Sequence, residues 1–190
     1  MRYPLVEVLN ALLYVFLLWR FGPDWPFLIY ALFSSALIVI TFIDLDFQII
    51  PDRISLPGIP LGLLAGSLIL PDPFMRADAL GWKASLIGAV SGFLFYYFIA
   101  FAGEKILKKE AMGGGDIKMM AMVGGFLGWK GVILTTFLGS LFGSIIGIFM
   151  MLFRGREKGS QIPFGPFLAL GAVVSLFLGQ EIIIWYLYRR

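Results

Sequence analysis

The chain has 190 residues, a net charge of +3 and a mean hydropathy of +0.90, with 59% hydrophobic and only 14% charged residues. Soluble domains carry about a quarter charged residues, so this composition predicts an integral membrane protein. The chain has no Cys and no His, which excludes disulfides, Ser-His and Cys-His nucleophiles and the usual zinc hydrolase sites. Acid-base chemistry at neutral pH is therefore left mainly to carboxylates.

Long uncharged blocks predict the helices in chain order. A first, weaker segment at 5–19 is interrupted by Glu7 and Asn10, and it does not resemble a cleavable signal peptide. Another weak segment, 117–129, is short for a full crossing. The remaining candidates approach the roughly 20 residues that cross a bilayer: 25–43, 54–70, 84–103, 131–153 and 159–180. The fold class is thus predicted as all-α, a polytopic transmembrane helix bundle of about six to seven helices forming a single membrane-embedded domain, 1–190.

The distribution of Lys and Arg predicts the orientation. With seven crossings and a cytoplasmic N-terminus, nine basic residues lie inside and six outside, which agrees with the positive-inside rule. The cytoplasmic loops are then 44–53, 104–116 and 154–162, in an inner-membrane, multi-pass protein. No basic stripe is interleaved with exposed aromatic residues, so no nucleic-acid partner is expected.

Glycine recurs at every fourth position in two predicted helices. These are Gly58-Gly62-Gly66 and Gly139-Gly143-Gly147. Such strips let a neighbouring helix approach closely. We interpret both as packing seams; a groove for a substrate helix is the less favoured alternative.

Two acidic residues stand at junctions between an apolar helix and a cytoplasmic loop. Asp44 ends the block 25–43, and Asp116 follows the flexible triple Gly113-Gly114-Gly115, at the expected N-cap of the next helix. Although 72 positions separate them (116 minus 44), the topology places both at one membrane face. If they meet, the pair titrates as a unit and holds one proton. One carboxylate then draws a proton from water while the other donates to a scissile carbonyl, without metal or other cofactor.

Four further residues are assigned lesser roles. Asp46 is two positions beyond Asp44 and points away from it on a helix, and Asp52 precedes Arg53 at an expected ion-paired helix start at Ile54; both are supporting candidates. Glu7 is either an intramembrane functional carboxylate or an interfacial one. Lys118 is grouped with the glycines as part of the active-site loop, although snorkelling to the surface is its simpler explanation.

Two stretches of the chain resemble the signature regions of type IV prepilin peptidases, which are GxGD-type intramembrane aspartyl proteases: FIDLDFQIIPDRISLPG and MGGGDIKMMAMVGGFLGWKG. The stretch QIPFGPFLALG is similar to the family's C-terminal segment, and RYPLVEVLNALLYVFLLWRFG to the part that follows the cytoplasmic domain of bacterial enzymes. The resemblance implies that Asp44 and Asp116 are the catalytic pair, with Gly113 and Gly115 as the glycines of the GxGD motif.

The resemblance also implies the substrates, namely prepilins and pseudopilins of type IV pili and type II secretion, cut at the cytoplasmic face just before their apolar helix. Many bacterial relatives also methylate the new N-terminus and carry paired CxxC zinc motifs, which this chain lacks. We therefore expect the peptidase part of a bifunctional enzyme or a natural peptidase-only form, with the start near RYPLVE favouring the former. Methylation by this chain is not expected.

Two alternatives belong to other functional classes. A magnesium-dependent enzyme acting on a lipid phosphate would use Asp44, Asp46, Asp52 and Asp116 as oxygen ligands. A transporter would use intramembrane aspartates for ion coupling, but such sites usually lie near the bilayer midplane, whereas both junction aspartates lie near one edge.

Overall fold

The computed structural model describes residues 3–75, 78–108, 112–154 and 163–188. These ranges contain six helices: α1 (Tyr3–Phe21), α2 (Trp25–Phe47), α3 (Asp52–Leu68), α4 (Gly81–Leu107), α5 (Gly114–Arg154) and α6 (Gly165–Tyr188). Within them the only β pairing is a single bridge between Pro71 and Ala79. The prediction of an all-α bundle of six to seven helices is confirmed.

Five of the described helices are long and apolar enough to cross a membrane by length and composition. The exception among the six described helices is α3, which has 17 residues. The number of full crossings, seven in the sequence-based topology, stays a prediction. The predicted cytoplasmic loop 154–162 lies almost entirely outside the described residues. The last helix was predicted to begin at 159, and its described part begins at Gly165.

Helix α2 continues past the point that hydropathy indicated. The apolar block ends at 43, yet the helix runs to Phe47 and closes on Gln48, which adopts a left-handed conformation (φ 55°) and donates its backbone N–H to the Asp44 carbonyl. Pro51 follows and cannot sit inside a helix without cost. Asp44 therefore lies in the last turn of a helix and not in the loop 44–53, because a single charge does not terminate a helix whose backbone bonds continue.

Helix α5 is broken at Gly128, whose φ of 70° and ψ of −179° are not helical. Its first half, 114–127, is antiparallel to α4, because the hydroxyl of Ser85 donates to the Gly125 carbonyl while Gly92 lies against Met120. Its second half, 129–154, is antiparallel to α6. The chain reverses at Gly128, so the two predicted segments 117–129 and 131–153 correspond to the two halves.

The first half of α5 is the buried centre of the bundle. Its apolar side chains Met119, Met120, Met122, Val123 and Leu127 are at most 1% exposed. Around it, α3 approaches through glycines: a Cβ on Gly58 would meet Met122, and one on Gly62 would meet Phe126. Close packing on a flat strip explains this geometry, and the prediction of a packing seam is confirmed here. In the second seam, Gly139 and Gly143 likewise face α6.

The bundle has two ends, which we name by a buried aspartate at each. At the Asp44 end, α2 finishes and α3 and α5 begin. At the Asp72 end lie residues 69–75 and 78–80, between α3 and α4, and the break at Gly128; here the Tyr30 hydroxyl donates a hydrogen bond to the Pro71 carbonyl. Tyr30 and Asp44 are 14 residues apart on α2, which places the ends about 21 Å apart along the helix axis.

Candidate active site

Asp44 is held by the beginning of α6. Asp44 is only 6% exposed, and its Oδ2 accepts a hydrogen bond from the backbone N–H of Gly165 at 3.0 Å. The first N–H groups of a helix have no partner within the helix and suit an anionic acceptor. A residue 121 positions away in the sequence therefore fixes the Asp44 carboxylate.

Asp116 lies in the first turn of α5 and is 9% exposed. The prediction that it is the N-cap residue is wrong, because Gly114 and Gly115 are already helical and Asp116 is the third residue of the helix. Its backbone N–H donates to the Gly113 carbonyl at 3.1 Å. Its side-chain Oδ1 is buried and has no hydrogen-bond partner among the described residues. A buried carboxylate oxygen without a partner is costly and is free to bind a water molecule or a substrate.

The two aspartates lie at the same end of the bundle, each beside a glycine that packs against Ile50. Gly165, whose N–H binds Asp44, and Gly115, next to Asp116, would each bring a Cβ within 3.3 Å of Ile50, although the two aspartates come from different helices and from positions 72 residues apart. Neither forms an ion pair with a Lys or Arg of the described residues. Two like charges in one buried site favour retention of a single shared proton.

Two close approaches around the pair require glycine. A Cβ on Gly165 would lie 2.6 Å from Asp44 Oδ2, and a Cβ on Gly115 would lie 2.6 Å from the Cβ of Ile50, which is buried. Gly113 is less constrained, with its nearest contact at 3.5 Å from Asp116 Oδ2. By contrast, a Cβ on Gly114 would meet nothing within 4 Å. The glycine triple is therefore not uniform, and Gly115 is its tightly packed member.

Lys118 does not reach the aspartate pair. Its Nζ contacts both carboxylate oxygens of Asp52 at 2.7 Å, and this partly exposed ion pair joins the start of α5 to the start of α3. The expected helix start at Ile54 is wrong, since α3 begins at Asp52. The expected partner of Asp52 was Arg53, but its ion pair is with Lys118. This pairing could not be expected from the sequence, because the two residues are 66 positions apart.

The remaining supporting candidates lie outside the pair. Asp46 is exposed at the end of α2. Glu7 is exposed on α1, one turn before Asn10, whose Oδ1 accepts a hydrogen bond from Ser35 on α2. That contact sets the register of the two neighbouring helices. Measured along the helix axis, Glu7 then lies about 9 Å from the level of Asp44.

No group of three or more acidic residues that could hold a metal ion occurs in the described ranges. The four aspartates required by the magnesium alternative are therefore not assembled there: Asp44 and Asp116 are buried together, while Asp52 bonds to Lys118. What the site presents is two carboxylates, one held by a backbone N–H and one with an open oxygen, an arrangement suited to activating water.

A family model described as "Type IV leader peptidase family" matches residues 31–148, a range that includes both aspartates. The chain belongs to the type IV leader peptidase family. It is 38% identical over 190 residues to a prepilin leader peptidase/N-methyltransferase of Aeromonas salmonicida, and 39% identical over 186 residues to that of Pseudomonas aeruginosa. Each alignment covers 98% of this chain and 61% of the relative.

A relative of the same name from Legionella pneumophila is 32% identical over 186 residues, again covering 98% of this chain and 62% of the relative. The chain thus spans about three fifths of the length of the relatives it matches. No solved structure matches the chain. The resemblance seen in the sequence is confirmed at the level of the family.

Gly165 is a site residue that sequence reasoning missed. Its segment, QIPFGPFLALG, stood out as similar to the family, but nothing in its residue types indicates a contact with Asp44, because the group that makes the contact is a backbone N–H. Among the described residues, Ile50 was missed for a similar reason. It is an apolar residue in a loop, and only its packing against Gly115 links it to the site.

Proposed function

We propose that this chain is an aspartyl endopeptidase that cleaves the leader peptide from type IV prepilins or pseudopilins. The observation that carries the proposal is the pair of buried aspartates, Asp44 and Asp116, which lie at the same end of the bundle and contact no cation of the described residues. Membership of the type IV leader peptidase family supports the substrate class. The names of the relatives, which describe prepilin leader peptidases, support it further.

The proposed mechanism divides two tasks between the carboxylates. The ionised member accepts a proton from a water molecule, which attacks the scissile carbonyl carbon, while the protonated member donates its proton to the carbonyl oxygen. Collapse of the tetrahedral intermediate breaks the C–N bond: the amine leaves with the proton that was taken from water, and the other carboxylate recovers its proton from a hydroxyl of the intermediate, which restores the pair. The unpartnered Oδ1 of Asp116 supports a water or substrate position beside that residue, and the Gly165 N–H supports a fixed orientation for Asp44.

The proposed setting is a multi-pass protein of the inner membrane whose Asp44 end faces the cytoplasm. Helices long and apolar enough to span a membrane support the multi-pass character, and the excess of basic residues at the Asp44 end supports the orientation. The shared buried core of α2, α5 and α6 supports a single catalytic domain over 1–190. The methyltransferase activity named in the relatives is not part of the proposal.

The experiment measures cleavage of a purified prepilin by the full chain in detergent or proteoliposomes. Asp44→Asn and Asp116→Asn should each lower the rate by about a thousandfold or more, because an amide cannot exchange the shared proton. Asp46→Asn is the matched control: it removes a charge two positions from Asp44 on an exposed surface and should keep most of the rate. Substantial cleavage by either active-site variant, in a chain that still folds, would overturn the assignment of that residue.

The same assay with a chelator distinguishes the two-aspartate mechanism from the magnesium alternative. Cleavage should be unchanged in EDTA, since two carboxylates suffice for the reaction. Loss of cleavage in EDTA, restored by magnesium, would contradict the two-aspartate mechanism.

A further inference from the structure

A groove of about 350 Å³ separates α2 from α3, apart from the aspartate pair. One wall is formed by α2, including Leu32, Ala36 and Val39. The other is formed by α3, which leaves room because its lining residues include the small Pro57 and Gly58. The floor is formed by Met122 and Phe126 of α5, which pack under the two helices. The groove is therefore closed below by the core of the bundle.

The rims of the groove face outward. Leu32 is 63% exposed and Leu61 51% exposed, and both lie on helices that we place in the bilayer or at its edge. An apolar surface of this kind in a spanning segment meets lipid tails and not water. In a membrane, an open apolar groove is filled by acyl chains, because no other solvent is present at that depth.

Arg53 lines the groove at the Asp44 end and is exposed. Throughout the part of the chain that the structure describes, it forms no ion pair, in contrast to Arg20, which contacts Glu181, and Lys118, which neutralises the neighbouring Asp52. A guanidinium beside apolar surface at a membrane edge favours an anionic partner. Its planar fork matches the geometry of a phosphate group.

We propose that this groove binds one anionic phospholipid, with its phosphate on Arg53 and an acyl chain along the α2–α3 groove. The two halves of the site match the two halves of such a lipid: a cation stands at one end and an apolar trough continues from it toward the Asp72 end. Lipid binding here does not require the proposed peptidase activity, since neither Asp44 nor Asp116 lines the groove.

The test uses the full chain in phosphatidylcholine vesicles that contain a minor fraction of phosphatidylglycerol with a photoactivatable acyl chain. Labelled peptides are quantified by mass spectrometry. The parent chain should be labelled on α2 and α3, more strongly than by a phosphatidylcholine probe of the same acyl chain. Arg53→Gln should reduce this labelling about tenfold, the size expected for loss of one charge-assisted contact. Arg53→Lys should retain part of it.

Two further variants serve as controls. Ala36→Phe fills the groove while Arg53 remains, and it should also reduce labelling. Lys105→Gln removes a cation at the same end that lies over the Phe101 ring and does not line the groove, so its labelling should match that of the parent.

Several results would overturn the proposal. Equal labelling by the phosphatidylcholine probe would show that the headgroup is not recognised, and an equal loss in Lys105→Gln would show that only overall charge matters. Complete displacement by soluble glycerol phosphate would show that a free phosphate, and not a lipid, is the ligand. Crosslinks between chains in place of lipid labelling would identify a second copy as the occupant.

Discussion

The two ends of the bundle treat buried aspartates in opposite ways. At the Asp72 end, Asp72 is 8% exposed, contacts Lys130 at 3.1 Å and accepts a hydrogen bond from the Phe74 N–H at 2.8 Å. At the Asp44 end, Asp44 and Asp116 are buried to the same degree, but the described residues provide no cation for either.

This difference indicates what each end is for. A buried charge is stabilised by a counter-ion and by hydrogen bonds, and leaving it without them costs free energy. The Asp72 end meets this requirement, so the Asp72–Lys130 ion pair joins the segment after α3 to the turn at Gly128. The Asp44 end does not, and it places two like charges together. Such an arrangement is typical of sites whose carboxylates exchange protons during a reaction.

Among the variants that test this difference between the two ends, Gly165→Ala should have the largest effect on the cleavage rate. Its new Cβ would lie 2.6 Å from Asp44 Oδ2, so the carboxylate must move away from its backbone donor. A displacement of this kind is expected to lower the rate of prepilin cleavage by about a hundredfold. The thermal stability of the purified chain should change little by comparison. A fully active Gly165→Ala variant would show that the Gly165 contact does not position Asp44 for the reaction.

Gly115→Ala and Gly114→Ala form a matched pair with a smaller expected effect. The first places a methyl group 2.6 Å from Ile50 Cβ and the second meets nothing within 4 Å. We expect Gly115→Ala to lower cleavage about tenfold or more by shifting the first turn of α5. Gly114→Ala should remain close to the parent. Equal losses in both variants would contradict the packing argument and favour a general need for backbone flexibility.

At the opposite end, Asp72→Asn should affect stability and not chemistry. Loss of the charge leaves Lys130 partly buried without its counter-ion, and we expect about 1–3 kcal/mol of lost unfolding free energy. Cleavage per folded molecule should be unchanged, as measured by a denaturation curve beside the cleavage assay. A selective loss of activity in a stable Asp72→Asn chain would break the comparison between the ends.

The smallest effect is expected for the Asp52–Lys118 pair. Because the Asp52 side chain is 54% exposed and that of Lys118 33% exposed, Lys118→Gln should cost about 0.2–1 kcal/mol of stability. Cleavage should fall less than with Gly115→Ala. A loss of cleavage rate in Lys118→Gln as large as that in Asp116→Asn would instead place Lys118 in the catalytic step.

Much of this fold could be predicted from sequence because the bilayer imposes long apolar blocks with charges between them. Even the reversal in α5 was indicated, because the predicted segments 117–129 and 131–153 are separate, although the break occurs at Gly128. Helix ends were less predictable. Asp44 was predicted at the end of a helix, with the loop 44–53 beginning there because hydropathy drops, while the helix continues to Phe47 through bonds that depend on the backbone.

Within the site, the two aspartates could be selected because carboxylates are rare in apolar segments. Their partners could not. Gly165 acts through a backbone N–H, and the bond of Lys118 to Asp52 joins residues 66 positions apart. Neither contact has a signature in residue type or spacing, since both depend on how α3, α5 and α6 pack.

The central claim is that Asp44 and Asp116 work as one unit, and a double-mutant cycle on prepilin cleavage tests it most directly. The rates of Asp44→Asn, Asp116→Asn and the double variant are compared with the parent, with folding checked for each. Because each residue is useless without the other, either single variant should lose nearly as much activity as the double variant. Independent losses that add in free energy, or a single variant that still cleaves at a substantial rate, would contradict the account.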